Sequence, residues 1–469
     1  MHPAIINKPA LPLKAELSLP GDKSITHRAI FISAIAEGRT KINNFLFSSD
    51  CLVTINAFRK LGLRIITDKK NKRVIVYGKG LLGLSKPNSP LEIKESGTTM
   101  RLLAGLLAGQ DFSSELVAGK ALSLRPMRRI TVPLRMMGAV IKSRGEKSLP
   151  DGRQEKSKIE EYPPLTLKGG GLKAISYRMP VASAQVKSAI LLAGLYAKGQ
   201  TKVIEPIKTR DHTERMLRLF GANIKIERLK VRIKKSKLVS SLAIDIPADV
   251  SSSAFFIVLA ALLPEAHLSI KSVGINPTRA GIIKALQKMG AAIKVSKCQS
   301  VKPACRQGRV SNFEPVADLL VKNSRLKAIT IKAKEIPSII DELPILMVAA
   351  CLARGKTVIE GVSELRVKET DRINSMVVNL TKMGADIRLK MKKIKGVNSE
   401  CLEIYGINRF KAAMVKSFGD HRTAMSAIVA GLLAEGKTRL DDVDCIDKSF
   451  PEFTAILRRL LGRNCIKLS

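Results

Sequence analysis

Six stretches of this chain end the same way: an amphipathic run closes on a large apolar residue and a glycine, and a β-prone segment follows. They read "KLGLRI", "MMGAVI", "LFGANI", "KMGAAI", "KMGADI" and "LLGRNCI", and their glycines are Gly62, Gly138, Gly221, Gly290, Gly384 and Gly462. Glycine just past a periodic helix takes the left-handed turn that other residues resist. Each glycine therefore predicts a helix stop followed by a strand. A second phrase recurs between the stops, as "AIAEGRTKINNF", "LYAKGQTKVIEP", "CLARGKTVIEGV" and "LLAEGKTRLDDV". The recurrence predicts six copies of one α/β unit, each burying a face against its neighbours.

A second set of helices is apolar nearly all round: "AIFISAIA", "SAILLAGLYA", "SAFFIVLAALL", "PILMVAACLA" and "TAMSAIVAGLLA". A helix with no polar face belongs inside a protein. The predicted architecture therefore places helices inside and strands outside. Six units divide as three plus three, giving two similar lobes, and 469 residues are too many for one ordinary core. Aromatic residues make up 4% and Trp is absent, so aliphatic packing carries the core.

The chain has 81 Lys and Arg against 40 Asp and Glu, a formal net charge of +41. Such a balance fits nucleic acid, an anionic surface, anionic small substrates, or a basic surface with no partner. Few aromatic residues accompany the cations, which argues against a stacking platform for single strands and makes nucleic acid an unlikely partner. Seven cysteines, at 51, 298, 305, 351, 401, 445 and 465, form no CxxC pair and read as reduced thiols of a cytoplasmic protein. Charges interrupt every apolar run before membrane-spanning length, and the N-terminus reads as a first strand without a targeting signal. The stretch 144–164 is charged and punctuated by Pro and Gly, hence a loop; 296–315 and 390–400 read as surface hairpins or loops.

Polar clusters stand where the buried helices begin: "GDKSITHR" (21–28), "SGTTMR" (96–101), "ASAQVKS" (182–188), "DVSSSAF" (249–255), "SIIDELP" (338–344) and "FGDHR" (418–422). Ser, Thr and Asp at such points cap orphan N–H groups, and for any one site capping suffices. Capping does not account for Lys23, Arg28, Arg101, Lys187 and Arg422, because a cation at a helix N-terminus opposes the dipole. An anion bound among them removes the conflict. Several repeats doing so together point to a small, highly anionic substrate. Glu369 and Arg372 lie three apart and share a helix face, either as a surface ion pair or as part of the same site. Asp341 reads as a cap, or as a general base near cations, with Lys23 and Glu369 as partners for proton transfer.

Eight ordered segments then carry a resemblance: "LPGDKSITHRAI", "SGTTMRLL", "RPM", "MPVASAQVKSAILLAGLYAKGQTKVIEPIKTRDHTERM", "IDELPILMVAA", "ELRVKETDRI", "GDHRTAMS" and "KSFPEF". From about residue 12 to the C-terminus the chain resembles the 5-enolpyruvylshikimate-3-phosphate synthase family. The resemblance implies a two-lobed, inside-out α/β barrel of six βαβαββ repeats with buried helices and outer sheets. Residues 1–20 and 248–469 would form one lobe and 21–247 the other, joined by two crossovers, with the active site in the cleft between them.

The implied reaction moves the enolpyruvyl group of phosphoenolpyruvate to the 5-hydroxyl of shikimate 3-phosphate, without metal or organic cofactor. Lys23, Ser24, Arg28, Ser183, Gln185, Arg210, Asp341 and Lys368 match the family's contacts to shikimate 3-phosphate. Lys23, Gly97, Arg125, Gln185, Arg372, Arg422 and Lys448 match its contacts to phosphoenolpyruvate. Asp341, Glu369 and Lys23 take the catalytic roles, Asp341 as base on the 5-hydroxyl and Glu369 in proton transfer at the methylene carbon. A cytoplasmic monomer acting on small molecules, away from membranes, is implied as well.

Two departures stand out. Lys94 and Glu95 occupy positions where the family reads Gly-Asn, and a carboxylate beside an anion site weakens phosphoenolpyruvate binding unless it points away. Gly97 is kept where a glyphosate-tolerant relative carries Ala, so glyphosate is expected to fit. The sister enolpyruvyl transferases acting on UDP-N-acetylglucosamine usually carry a reactive Cys where this chain has Lys120, which disfavours that reading.

Overall fold

In the computed structural model the described residues are 2–143, 146–147, 160–240, 243–296, 313–394 and 397–468. Most of the 144–164 and 296–315 stretches read as loops from sequence lies outside them. The 390–400 stretch falls on an antiparallel hairpin, Asp386–Ile394 with Val397–Tyr405. Packing divides the chain into two units. One comprises Lys23–Ile246 and Val301–Glu314; the other comprises Met1–Asp22, Pro247–Ser300 and Pro315–Ser469. Glu314 belongs to the first of these through His212, whose Nδ1 lies 2.7 Å from its carboxylate, and Phe313 joins that unit's core.

The Lys23–Ile246 unit carries helices α1 (Lys23–Ala34), α2 (Ser49–Lys60), α3 (Gly97–Leu107), α4 (Arg128–Met136), α5 (Ala184–Gly194) and α6 (His212–Leu219). The other carries α7 (Val250–Leu262), α8 (Gly281–Lys288), α9 (Leu343–Cys351), α10 (Arg372–Lys382), α11 (His421–Leu432) and α12 (Phe453–Leu461). The apolar helices are the buried ones. Every residue of α9 and α11 is buried, as is α7 from Val250 to Ala261. In the other unit α3 lies so close to α5 that a methyl group on Gly105 would sit 2.3 Å from the Ala189 carbonyl oxygen. The six stop glycines all adopt positive φ, between 84° and 104°, as the sequence predicts.

Each unit holds three sheets of four or five strands among the described residues, and all six share one pattern. A parallel pair forms one edge and antiparallel pairs complete the sheet. Parallel neighbours need a long crossover. The buried helix supplies it directly in four sheets: α3 joins Leu91–Lys94 to Ser113–Ala118, α5 joins Ser176–Arg178 to Gln200–Ile204, α9 joins Thr330–Ile331 to Lys356–Glu360, and α11 joins Met414–Val415 to Thr438–Leu440. In the other two the parallel partner comes from far along the chain. Lys14–Ser18 pairs with His267–Gly274, and Ala243–Asp245 pairs with Glu37–Asn43. Strands alternate buried and exposed residues, as in Gln200–Ile204, so each sheet keeps an outer polar face. The α/β class holds, and each described sheet is an open path that does not close on itself.

Candidate active site

In the Lys23–Ile246 unit the helix starts gather polar side chains. Ser96 and Ser183 cap α3 and α5, accepting hydrogen bonds from the N–H groups of Thr99 and Val186 at 3.4 Å. Capping thus accounts for the serines, and the cations beside them do other things. Arg101 donates to the Gln185 side-chain oxygen at 2.8 Å, and Gln185 donates to Thr98 Oγ1 at 2.9 Å. Gly97 completes this group: a methyl there would lie 2.7 Å from Arg125 Nη1 and 3.0 Å from Arg101 Nη1. Three sequence-predicted residues, Gly97, Arg125 and Gln185, are therefore neighbours.

Arg28 is buried and donates to the Ser24 carbonyl at 2.9 Å, Ser188 Oγ at 3.0 Å and Thr213 Oγ1 at 2.7 Å. Its guanidinium thereby ties α1 to α5 and α6. Lys23, in the first turn of α1, pairs with Asp50 in the first turn of α2, both mostly buried. Arg210 lies in the segment between Glu205 and α6, half-buried. Ser183 takes the cap position of α5, two residues before Gln185.

Lys187 corrects the sequence reading. It was expected to face a bound anion, yet its side chain is 0% exposed and sits between Glu205 at 3.0 Å and Glu214 at 2.6 Å. These carboxylates hold it protonated, raising its pKa against the opposing effect of burial. Glu205 also accepts from the Thr209 N–H at 3.0 Å, so this buried group holds the segment that carries Arg210.

The Glu95 departure also resolves. Its carboxylate turns to accept from the N–H groups of Ala121 at 3.3 Å and Leu122 at 2.8 Å, at the start of the short turn Leu122–Leu124 just before Arg125. A carboxylate there meets orphan N–H groups. Lys94 takes φ 49°, in the left-handed region where the family's glycine sits easily.

The second cluster lies in the unit of α7–α12. Asp341 is not the cap of α9; Glu342 occupies that position and its side chain makes no capping bond. The Asp341 carboxylate lies instead among guanidinium groups, with Oδ1 3.4 Å from Arg372 and Oδ2 3.8 Å from Arg279 and 3.9 Å from Arg422. Its backbone carbonyl accepts from Arg422 at 2.8 Å. Arg372 is 1% exposed and reaches Glu369 at 2.7 Å and Asp420 at 2.8 Å, so the Glu369–Arg372 pair is not a surface bridge. Asp420 caps α11 through the N–H groups of Arg422 and Thr423. Lys368 is held below the ordinary lysine value by burial, with Arg372 adding to the effect and Asp341, Glu364 and Glu369 opposing it. Lys448 donates to the Gly419 carbonyl at 3.0 Å. Asp341, Lys368, Glu369, Arg372 and Arg422 are thus brought together as one charged group, with Lys448 beside the start of α11.

A family model described as EPSP synthase (3-phosphoshikimate 1-carboxyvinyltransferase) matches residues 7–457. The chain belongs to the EPSP synthase family. A 3-phosphoshikimate 1-carboxyvinyltransferase of Geotalea uraniireducens is 45% identical over 456 residues, covering 97% of this chain and 98% of the relative. One of Bacillus cytotoxicus is 42% identical, covering 94% and 96%. A solved EPSP synthase of Acinetobacter baumannii aligns over 100% of both chains with a TM-score of 0.82 at 41% identity.

Within this family frame, sequence reasoning missed Asp50, Asp249, Arg279 and Glu342. Asp249 reads as an ordinary cap, Asp50 stands in none of the clusters at the buried-helix starts, and Arg279 stands in "NPTRA" with no local sign of its partners. Among the described residues no group of three or more His, Cys, Asp or Glu side chains is placed to hold a metal ion. No described helix is long and apolar enough to cross a membrane. The five described cysteines are buried and form no disulfide; Cys298 and Cys305 lie outside the described residues.

Proposed function

We infer that this chain transfers the enolpyruvyl group of phosphoenolpyruvate to the 5-hydroxyl of shikimate 3-phosphate and releases inorganic phosphate. The observation that carries the reading is the Asp341 carboxylate among Arg372, Arg422 and Lys368, with Glu369 on the same arginine. In the first step the methylene carbon of phosphoenolpyruvate takes a proton, with Glu369 and Lys23 as the groups that move it. The neighbouring carbon becomes electrophilic, and the 5-oxygen bonds to it as Asp341 takes the hydroxyl proton. In the second step the new methyl group gives up a proton, the double bond re-forms, and the carbon–oxygen bond to phosphate breaks. A positioned base contributes roughly 10²–10⁴-fold to such a reaction. Fixed cations stabilise the charge on phosphate and carboxylate throughout.

Shikimate 3-phosphate is assigned to Lys23, Ser24, Arg28, Ser183, Gln185, Arg210, Asp341 and Lys368. Phosphoenolpyruvate is assigned to Lys23, Gly97, Arg125, Gln185, Arg372, Arg422 and Lys448. Arg101, bonded to Gln185 and close to Gly97, joins the support of the second set. The six like sheets are read as six copies of one βαβαββ unit, three to each lobe. The protein is read as a monomer of the cytoplasm that needs no cofactor, nucleic acid or membrane.

The test is phosphate release from phosphoenolpyruvate by the purified protein, with shikimate 3-phosphate or UDP-N-acetylglucosamine as acceptor. Release is expected with shikimate 3-phosphate only, and Asp341→Asn lowers kcat by roughly 10²–10⁴-fold. Release only with the nucleotide sugar overturns the assignment.

A further inference from the structure

Arg279 takes no part in the assignments above, yet it is the most heavily engaged cation near Asp341. It closes the turn 276–280 between the strand His267–Gly274 and α8. The Asn276 side chain shapes that turn, accepting from the Thr278 N–H at 3.0 Å and hydroxyl at 2.8 Å. The Arg279 side chain is 2% exposed. Its guanidinium reaches Glu342 at 3.1 Å, Asp249 at 3.2 Å and Ser251 Oγ at 2.6 Å, with Asp22 at 3.6 Å and Asp341 at 3.8 Å. Ser251 in turn donates to Glu342. One planar fork therefore joins the caps of α7 and α9 and lies against the Asp341 carboxylate, one residue before the second cap.

The other two guanidiniums at Asp341 belong to residues assigned to substrate. Arg279 is enclosed by carboxylates and acts through them. We propose that Arg279 is a positioning residue for the transfer reaction: it holds the start of α9 through Glu342, turns the Asp341 carboxylate into place and sets how readily that carboxylate accepts a proton. The inference rests on the reading of Asp341 as the base. Five N–H donors in fixed geometry suit this task, and an ammonium, which meets its partners as a point, cannot reproduce it. The charges facing Asp341 come from every neighbouring element. Arg279 precedes α8, Arg372 begins α10, and Arg422 with Asp420 begins α11. Lys368 and Glu369 precede α10, Glu342 caps α9, Asp249 caps α7, and Asp22 ends the N-terminal segment. A cation favours the ionised carboxylate and a neighbouring carboxylate opposes it.

Two variants test this with opposite expected signs. Arg279→Lys keeps the charge and loses the fork. It lowers kcat roughly 10–100-fold, as misplacement of a reacting group does, while KM for either substrate moves less than about threefold. The shorter side chain draws its charge back from the Asp341 carboxylate, so the acid limb of the kcat profile moves up by roughly half a pH unit. Glu342→Gln removes a like charge and leaves Arg279 free to favour Asp341, so the same limb moves down. If both variants lose thermal stability but keep the wild-type kcat and acid limb, the role is structural and the proposal falls. If the wild-type protein itself does not turn over shikimate 3-phosphate, the functional reading fails separately. The arginine's effect is then read from the Asp341 carboxyl titration, by ¹³C-aspartate labelling with Asp341→Asn as assignment control. A titration unchanged by Arg279→Lys overturns the proposal in that case too.

Discussion

Asp249→Asn is the substitution whose consequence the structure works out most fully. Asp249 is buried at the start of α7, where it accepts from the Ser251 N–H at 2.8 Å. Burial, and then the neighbouring Asp22 charge, push its pKa up from 3.8 to about 6, against the pull of Arg279 and Arg422. Between these two values the folded protein holds a proton that the unfolded chain has already lost. Stability therefore falls as pH rises through that window, and above about pH 6 the loss is complete. A shift of about two units corresponds to a cost on the order of 3 kcal/mol at neutral pH. Asn removes the charge and keeps a good capping oxygen. Calorimetric melting of wild type and variant from pH 4.5 to 7.5 checks it. At the acid end, where most of the loss has yet to occur, the melting temperatures of the unit carrying α7 should lie closer together. Above about pH 6 the variant should melt roughly 4–10 °C higher. A variant less stable than wild type at neutral pH, or a difference that does not change with pH, refutes the reasoning.

Two further substitutions probe the phosphoenolpyruvate assignment. Gly97→Ala places a methyl 2.7 Å from Arg125 Nη1, the far end of a flexible side chain, so the fold should lose less than about 1 kcal/mol. The displaced guanidinium should raise KM for phosphoenolpyruvate roughly tenfold and weaken inhibition by glyphosate, with KM for shikimate 3-phosphate little changed. Glu95→Ala removes the carboxylate that meets the N–H groups of Ala121 and Leu122. Loss of such a cap costs about 1 kcal/mol in melting experiments, and the loosened turn before Arg125 should raise KM for phosphoenolpyruvate, whereas Glu95→Gln keeps an acceptor and retains most of the affinity.

Several parts of the site were legible because they depend on near neighbours in the chain. The stop glycines, the capping residues Ser96, Ser183, Asp249 and Asp420, and the wholly apolar helices all follow from local backbone and hydrophobic rules. The ordered motifs placed Asp341, Glu369 and Arg372, and these do meet. Other features could not be read from the sequence, for a common reason. Lys187 and Arg101 looked alike, each a cation four to five residues into a buried helix, yet one ends between two buried glutamates and the other on Gln185. Whether Glu95 faces the anion or points away was open in the sequence; its carboxylate meets backbone N–H groups 26 and 27 residues away.

The sequence by itself determined where helices stop, which of them are buried and which motifs stand at their starts. Those are matters of backbone dihedrals and burial, decided over a few residues. Tertiary structure alone decided the pairing of charges distant in the chain. Arg279 meets Asp249 from 30 residues away, Glu342 from 63, and Asp22 from the other end of the chain. Likewise the strand Lys14–Ser18 finds its parallel partner only at His267–Gly274. Such contacts depend on distance in space and on exclusion of water, and neither is encoded in the spacing of residues along the chain.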